Sequence, residues 1–340
     1  MPELLSLACA MAESAARLLW TWSWQAAVLL GGVWLMQKAY RTQASRVRHQ
    51  LWLCGLIAVA ALPLWMSIAT RLTLPQAPGV VLFRELKIPE AVASSAPLAL
   101  PLSGIAIPPI VGNSLSSASA FWTVLFIVWL AGLILALARS GRSYMRLRRV
   151  CRAARPVSIE SLSCAAESWV ASARVRLRLS TEIDSPCLTG GLRRPVILLP
   201  ADIANWTTAS ERASILRHEF AHLKRRDHYI KLFQMLLDAL FFFHPLVRYA
   251  SRQLNLEREM ACDEAVVGAG ADAFAYAESL LKVAARNIAP EAFRQPIYFA
   301  SKQTLQRRIV MILNQDRVRC FSRYRPLLVM PAAFVLGVMM

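Results

Sequence analysis

The sequence predicts a mainly α-helical integral membrane protein, in which a bundle of membrane-spanning helices carries an α+β domain on its cytoplasmic side. Hydrophobic residues make up 56% of the 340 residues and charged residues only 18%, a balance unlike that of soluble domains. Long uncharged segments recur along the chain, and basic residues cluster beside them. The same composition excludes a disordered or collagen-like protein.

Three uncharged segments are long enough to cross a membrane as helices: 18–36, 51–70 and 120–138. About 20 apolar residues span a hydrocarbon core of about 30 Å. A fourth uncharged run, 326–340, ends with the chain and is predicted to be a spanning helix cut short. Glu3 and Glu13 stand where a signal peptide has its basic region, so we predict that no signal peptide is present.

Basic residues between the predicted spans set the orientation. Segment 37–50 carries four Lys and Arg residues without an acid, and 139–155 carries seven arginines without an acid. Both are therefore predicted to be cytoplasmic. The proline-rich segment 71–119 carries both charges and is predicted to be an external loop. The N-terminus then lies outside, 1–138 is the N-terminal membrane region, and 139–325 forms the cytoplasmic domain.

The formal net charge of +18 is explained by the arginines beside the spans. Each is expected to contribute about 1 kcal/mol to contacts with anionic lipid headgroups. A direct nucleic-acid partner is not predicted, because neither a helix-turn-helix pattern nor an aromatic-interleaved basic stripe accompanies the arginines. The seven cysteines form neither a CxxC pair nor a dense cluster, so we expect most to be reduced, buried thiols.

The first part of the cytoplasmic domain has the pattern of short strands. Segment 175–180 alternates apolar and basic residues, and 195–200 is an apolar run between prolines, which predicts two strands. Gly190 and Gly191 lie between them and are predicted to form a turn. Thr208, followed three residues later by Glu211, is a capping-box pattern, which predicts a helix running from there through Asp227.

An HExxH motif lies inside this predicted helix, from His218 to His222. Residues four apart project from the same face of a helix, so both imidazoles can bind one Zn²⁺. Glu219 leans from the next position toward the metal, whose bound water is acidified so that a neighbouring carboxylate can take its proton. The motif predicts a metal site with Glu219 as the base.

A catalytic zinc takes three protein ligands and leaves one position open. No HExxHxxGxxH extension follows, so the third ligand is expected from elsewhere. The helical stretch 255–266 offers Glu257, Glu259, Asp263 and Glu264. Glu259 and Asp263 share a face, which suits one carboxylate on the metal and one holding a ligand imidazole. Glu257 as the ligand, or a merely solvated acidic face, remains the alternative at this point.

The apolar segment 232–247 lies between the two helices. If it crossed the bilayer fully, the HExxH motif and the acidic helix would lie on opposite sides. With Asp238 in its middle, it is predicted to be a core or interfacial helix that turns at His244 and Pro245, with a re-entrant segment as the alternative. His228 and His244 are further candidate ligands, although a lone histidine near an apolar helix is more often structural.

HEFAH followed by RRD, then EMACD, preceded by SPCLTGGLRRPVILLP and three spans, resembles the bacterial Bla/Mec-type sensor-transducer metallopeptidases, the antirepressor family of β-lactam resistance. The resemblance covers about 18–340. It implies a multi-pass protein of the bacterial inner membrane, whose cytoplasmic gluzincin-type domain holds one Zn²⁺ per chain. By that resemblance the residues of the site are the ligands His218, His222 and Glu259, the catalytic base Glu219, and the supporting acids Asp263 and Asp227.

The resemblance implies an endopeptidase that cleaves a cytoplasmic protein such as a transcriptional repressor, or itself, to relay an envelope or antibiotic signal. Better-known members continue into an extracellular penicillin-binding sensor, which this sequence lacks. We expect either a fragment, or a relative that receives its signal from a separate sensor protein or a second copy. The alternative function is a non-catalytic transducer with a structural, four-ligand zinc. Candidate oxyanion donors are His228, Tyr276 and Arg308, although a surface or packing role is more common for each.

Overall fold

The computed structural model describes residues 2–39, 45–72, 117–158, 162, 175–191, 194–286 and 302–314. The predicted fourth helix at 326–340 and most of the predicted external loop 71–119 lie outside these residues. The described part of the chain is mostly helical and contains one small mixed sheet. This confirms the predicted mainly α class.

Three long helices match the three predicted spans: α1 (Pro2–Ala39), α2 (Ser45–Leu72) and α3 (Ser117–Ala153). Each contains a segment long and apolar enough to cross a membrane. The third continues as one helix to Ala153, through most of the arginine-rich segment 139–155, which the sequence predicted to open the cytoplasmic domain. The arginine-rich residues up to Ala153 therefore belong to the same helix as the apolar segment 120–138.

The sheet contains four strands in the order β1-β2-β4-β3: β1 (Arg155–Val157), β2 (Arg176–Ser180), β3 (Cys187–Gly191) and β4 (Arg194–Pro200). β2 pairs parallel to β4, and both outer strands pair antiparallel to their neighbours. The two predicted strands agree with β2 and β4 to within one residue. The prediction that Gly190 and Gly191 form a turn is wrong, because pairing with Pro195 and Arg194 extends β3 through both glycines.

One arginine fastens the sheet to the end of α3. The Arg178 Nη1 donates to the carbonyl oxygens of Cys151 at 2.7 Å and Ala154 at 3.3 Å. Carbonyls in the last turn of a helix have no partner within the helix. Val150 packs beside these residues against Leu198 of β4. The end of the apolar helix α3 is thus held directly against the sheet by a hydrogen-bonded side chain and by apolar packing.

Among the described residues, six further helices follow the sheet: α4 (Ile203–Trp206), α5 (Ala209–Lys224), α6 (Asp227–Leu240), α7 (Pro245–Gly268), α8 (Ala273–Arg286) and α9 (Lys302–Leu313). The predicted capping box is present at the start of α5. The Glu211 amide donates to Thr208 Oγ1 at 3.3 Å, and the Thr208 amide donates to Glu211 Oε2 at 2.7 Å. This cap fixes where the HExxH helix begins.

The predicted helix through Asp227 instead ends at Lys224. Arg226 adopts a left-handed conformation with φ of 58° and reverses the chain, after which Asp227 begins α6. Residues five apart on one continuous helix do not face each other. The reversal is therefore what allows the Asp227 carboxylate to reach back to His222.

The segment 232–247 covers the end of α6, a turn and the start of α7, and the two helices form a hairpin. Residues 241–243 form the turn, and the Nδ1 of His244 accepts from the Val247 amide at 3.3 Å, capping α7. Pro245 is the first residue of α7. The predicted turn at these residues is confirmed. Buried residues of the hairpin form one core with α1 and α2, which includes Leu29, Leu56, Val59, Leu237, Phe241 and Leu254.

The five cysteines within the described residues are free thiols. Among them Cys262 is fully buried, Cys9, Cys151 and Cys187 are partly buried, and Cys54 is exposed, so the expectation that most thiols are buried is wrong for this part of the chain. Cys54 lies on α2, which is long and apolar enough to cross a membrane. Cys164 and Cys320 lie outside the described residues.

Candidate metal centre

Two histidines of α5 meet one glutamate of α7. The Nε2 of His218 lies 3.4 Å from Glu259 Oε2, and the Nε2 of His222 lies 3.6 Å from Glu259 Oε1. One donor atom from each residue lies within 4.8 Å of the others. The structure therefore brings together the three ligands named by the resemblance.

These separations suit a tetrahedral metal ion. Two donors bound at about 2.0–2.1 Å in tetrahedral geometry lie about 3.3 Å apart, close to the observed distances to Glu259. The His218 and His222 rings stand nearly perpendicular, at 87°, with centroids 4.8 Å apart. The donor set therefore suits a small divalent cation.

Asp263 contacts His218 on the Nδ1 side of its ring, away from Glu259. Its Oδ1 lies 3.1 Å from His218 Nδ1 and accepts from the Tyr276 hydroxyl at 2.7 Å. Arg308 of α9 donates to both carboxylate oxygens, at 2.7 and 2.8 Å. A carboxylate that accepts from Nδ1–H fixes the tautomer in which Nε2 keeps its lone pair for a metal. Asp263 thus presents His218 to the centre.

Asp227 does the same for the second histidine. Its Oδ2 lies 2.7 Å from His222 Nδ1, and Arg225 Nε approaches its other oxygen at 3.5 Å. Asp227 is 1% exposed. Both carboxylates expected from the sequence to support the site therefore contact a ligand histidine on the side away from Glu259.

The charges of the site are compensated within the protein. Burial raises the pKa of Asp263, but the Arg308 guanidinium and the His218 hydrogen bond outweigh it and hold that pKa below its ordinary value. Burial likewise raises the pKa of Glu259, while His222, His218 and Arg308 together hold it well below its ordinary value. Both carboxylates are ionised at neutral pH, as ligation and imidazole orientation require.

Glu219 lies on α5 between the two histidines, on the side that faces the sheet. It is buried, and α5 packs on the edge strand β3. Burial and then the nearby Glu219 carboxylate raise the pKa of the Cys187 thiol in β3 to about 12. The candidate base therefore lies close enough to the edge strand β3 to influence the charge of a side chain there.

The other candidate ligands have different partners. Glu257 Oε1 accepts from Arg48 Nε of α2 at 2.8 Å. The Nε2 of His244 donates to the Ser23 carbonyl of α1 at 3.1 Å. The ring of His228 packs beside that of Tyr229. Within the described residues, none of these three belongs to a cluster that includes Glu259.

The comparison with known proteins gives a direct family match. The model of the family described as BlaR1 peptidase M56 matches residues 17–312, which include every residue of the candidate centre. The chain belongs to this family. It is also 30% identical over 228 residues to the protein named "Regulatory protein BlaR1" of Bacillus licheniformis, and the alignment covers 65% of this chain but 36% of that relative. The M56 match confirms the Bla/Mec-type resemblance and indicates a metallopeptidase. Together with the three apolar helices, it indicates a membrane protein.

A second group of possible metal donors in this M56 chain consists of His222, Asp227 and Cys262. The separation of 2.7 Å between His222 Nδ1 and Asp227 Oδ2 is that of a hydrogen bond and is too short for two ligands of one tetrahedral ion. Burial, followed by Glu259 and Asp227, raises the pKa of the Cys262 thiol, which disfavours the thiolate that a metal needs. The first group is therefore the better metal centre.

The sequence offered Tyr276 and Arg308 as candidate oxyanion donors, with a surface or packing role as the more common alternative. In the structure the Tyr276 hydroxyl lies 2.9 Å from His218 Nδ1. Arg308 pairs with Asp263, and its Nη1 also lies 3.4 Å from Glu259 Oε2. Their contacts favour a positioning role. No local signal could have revealed it, because Arg308 lies 45 residues from Asp263 in the chain.

Zinc affinity is expected to depend steeply on pH. In the metal-free protein, burial lowers the pKa of His218, but hydrogen bonds to Asp263 and Glu259 outweigh it and raise the pKa to about 9. Zinc must displace this proton, so its apparent affinity should rise about tenfold per pH unit up to about pH 9 and then level off. Calorimetry in buffers of different ionisation enthalpy measures the released proton. Binding without proton release at pH 7 would contradict this protonation state.

Proposed function

We propose that this M56 chain is a membrane-bound zinc endopeptidase of the gluzincin type with its active site on the cytoplasmic side. The observation that carries the proposal is the convergence of His218, His222 and Glu259 at separations that suit one tetrahedral ion. An HExxH pair from one helix and a glutamate from a later helix is the ligand arrangement of this class. The family match supports the same chemistry.

The residues of the chain have separate tasks in this proposal. A zinc ion bound to the three ligands would polarise the scissile carbonyl and acidify a water. Glu219 would accept a proton at its carboxylate and return it to the leaving amine. Asp263 and Asp227 keep a proton on the Nδ1 of each ligand histidine, so that the Nε2 lone pairs stay directed at the ion.

The cytoplasmic placement rests on the distribution of basic residues. Segments 37–50 and 139–155 carry arginines and lysine without acids, and such segments stay on the inner side of a bacterial inner membrane. The proposed substrate is a cytoplasmic protein such as a transcriptional repressor, or the chain itself. The name of the Bacillus relative, a regulatory protein, supports a role in signalling.

The number of candidate ligands argues against a purely structural zinc. Structural sites bind zinc through four protein ligands, whereas catalytic sites keep one position open. Within the described residues, the cluster around Glu259 contains three candidate ligands. A non-catalytic transducer is therefore the weaker proposal, and it predicts a fourth ligand that this cluster does not provide.

The direct test uses the purified full chain in detergent with one equivalent of zinc. We expect it to cleave itself or an unfolded protein such as casein, to stop when a chelator removes the ion, and to resume on stoichiometric re-addition of zinc. Unchanged cleavage after complete removal of zinc would overturn the metal mechanism. A folded, zinc-loaded chain that cleaves neither itself nor casein would favour the transducer.

A further inference from the structure

The turn between α6 and α7 contacts helices that are apolar enough to cross a membrane. Trp129 Nε1 of α3 donates to the Leu240 carbonyl at 3.0 Å. His244 Nε2 donates to the Ser23 carbonyl of α1 at 3.1 Å. Both Ser23 and Trp129 lie well inside the uncharged segments 18–36 and 120–138. The turn therefore lies at the depth of the spans and not beside their cytoplasmic ends.

Aromatic packing at the same turn is close and specific. A Cβ placed on Gly132 of α3 would lie 2.2 Å from the ring of Phe242, so the turn approaches α3 where α3 has no side chain. The rings of Phe241 and Trp22 meet edge to face at 4.8 Å. Trp22 Nε1 in turn donates to the Val59 carbonyl of α2 at 2.6 Å. Residues of α1, α2 and α3 thus form the packing site of the turn.

The helix α7 runs antiparallel to α2, and the pairs along them change from polar to aromatic. Ser45 N donates to Glu264 Oε1 at 3.2 Å, and Arg48 pairs with Glu257. Beyond these pairs, the ring of Trp52 packs on that of Tyr249 at 5.8 Å. The polar pairs precede the uncharged segment 51–70, and the aromatic pair lies inside it.

Helix geometry gives the depth of the turn. At 1.5 Å per residue, about 20 Å of helix separates Ser23 from Met36, the end of the first uncharged segment. About 13 Å separates Trp129 from Ala138, the end of the third. The turn thus lies about halfway across a hydrocarbon core of about 30 Å.

Backbone at membrane depth must have its polar groups satisfied by protein, and this hairpin meets that condition. Trp129 Nε1 donates to the Leu240 carbonyl. His244 Nε2 donates to the Ser23 carbonyl, and His244 Nδ1 accepts from the Val247 amide. Further along, Ser251 Oγ donates to Asp238 Oδ1 at 2.6 Å, so the acidic side chain faces the partner helix of the hairpin.

The outer face of the hairpin exposes large apolar side chains, flanked on α7 by the exposed Arg248 and Arg252, whose long stems can carry their charges toward the headgroups. The apolar stripe consists of Tyr229, Leu232, Leu236, Phe243, Leu246 and Tyr249. A water-exposed apolar surface of this extent is unusual for a protein. The helix α6 packs on α3, which also exposes apolar side chains, among them Ile127, Val128 and Ile134.

We propose that the α6–α7 hairpin is a re-entrant element whose apolar stripe contacts the acyl chains of the cytoplasmic leaflet. The hairpin enters from the side of Arg48 and Glu257, turns at residues 241–244, and returns to the same side. Glu259 lies between the two polar pairs to α2, so the candidate metal centre is held within about 10 Å of the membrane surface. A polypeptide reaches this centre only when it is presented at that surface.

A photoreactive side chain at the turn tests the proposal without reference to cleavage. The full chain is prepared with Phe243→p-benzoylphenylalanine in vesicles of phosphatidylethanolamine and phosphatidylglycerol, irradiated, and analysed by mass spectrometry. Two matched positions serve as controls. Val128, 61% exposed on α3, should form acyl-chain adducts, and Phe274, 73% exposed on α8, should form none.

We expect position 243 to form acyl-chain adducts with a yield like that of position 128. Crosslinks from position 243 to residues 326–340 or to a second copy, without lipid adducts, would overturn lipid as the occupant. A position 243 that behaves like position 274 would overturn the insertion itself. Gly132→Leu adds an independent test, because displacement of Phe242 should lower the adduct yield at 243 while leaving that at 128 unchanged.

Discussion

Peptide cleavage is expected to fall by about 10²–10⁴-fold when Glu219 is replaced with glutamine, while zinc remains bound at one equivalent. Glutamine keeps the volume of the buried side chain but cannot accept a proton. The ligands are untouched, because the ion is held by His218, His222 and Glu259 in the proposed centre. Cleavage rates and zinc content of the purified, zinc-loaded variant measure both halves of the prediction.

A matched control removes the same charge elsewhere. Glu278 on α8 is exposed, with 53% of its side chain accessible, and Glu278→Gln should cleave at the wild-type rate. A Glu219→Gln variant that cleaves as fast as this control would show that another group moves the proton. A Glu219→Gln variant without zinc would instead make Glu219 a ligand.

Loss of the buried acid behind His218 is expected to damage stability and metal binding together. Asp263 is 0% exposed and pairs with Arg308, Tyr276 and His218. Asp263→Ala leaves the Arg308 guanidinium buried without its main partner, which costs about 3–5 kcal/mol. The freed imidazole also loses its fixed tautomer, which should weaken zinc affinity by about 10–100-fold. Thermal unfolding in detergent and zinc titration measure the two effects.

The two effects can be separated with a second substitution. Adding Arg308→Met to Asp263→Ala removes the unpaired buried charge, so thermal stability should recover in part. The zinc affinity should stay low, because His218 still lacks its acceptor. If the zinc affinity of Asp263→Ala matched that of the wild type, Asp263 would have no role in holding the ligand.

The local half of the candidate centre was predictable from the sequence because helix geometry alone brings His218 and His222 together. The third ligand was not, since Glu257 and Glu259 lie on the same helix about 200° apart. Which one faces α5 depends on how α7 packs. The structure decides this through Arg48 of α2, which pairs with Glu257 and so directs the other face of α7, with Glu259, toward the histidines.

The depth of the α6–α7 turn likewise depends on packing between distant parts of the chain, which a local sequence pattern does not reveal. Sequence reasoning found the turn and kept both an interfacial helix and a re-entrant segment open. The difference depends on contacts of Leu240, Phe242 and His244 with Trp129, Gly132 and Ser23. These partners lie in helices more than 100 residues away in the chain, where no local pattern indicates them.

X-ray absorption spectroscopy of the zinc-loaded full chain tests the central claim most directly. We predict two imidazole groups and oxygen donors at about 2.0–2.1 Å, no sulfur near about 2.3 Å, and loss of this spectrum in Glu259→Ala. A sulfur ligand from Cys262, a third imidazole, or a spectrum unchanged by Glu259→Ala would contradict a centre built from His218, His222 and Glu259.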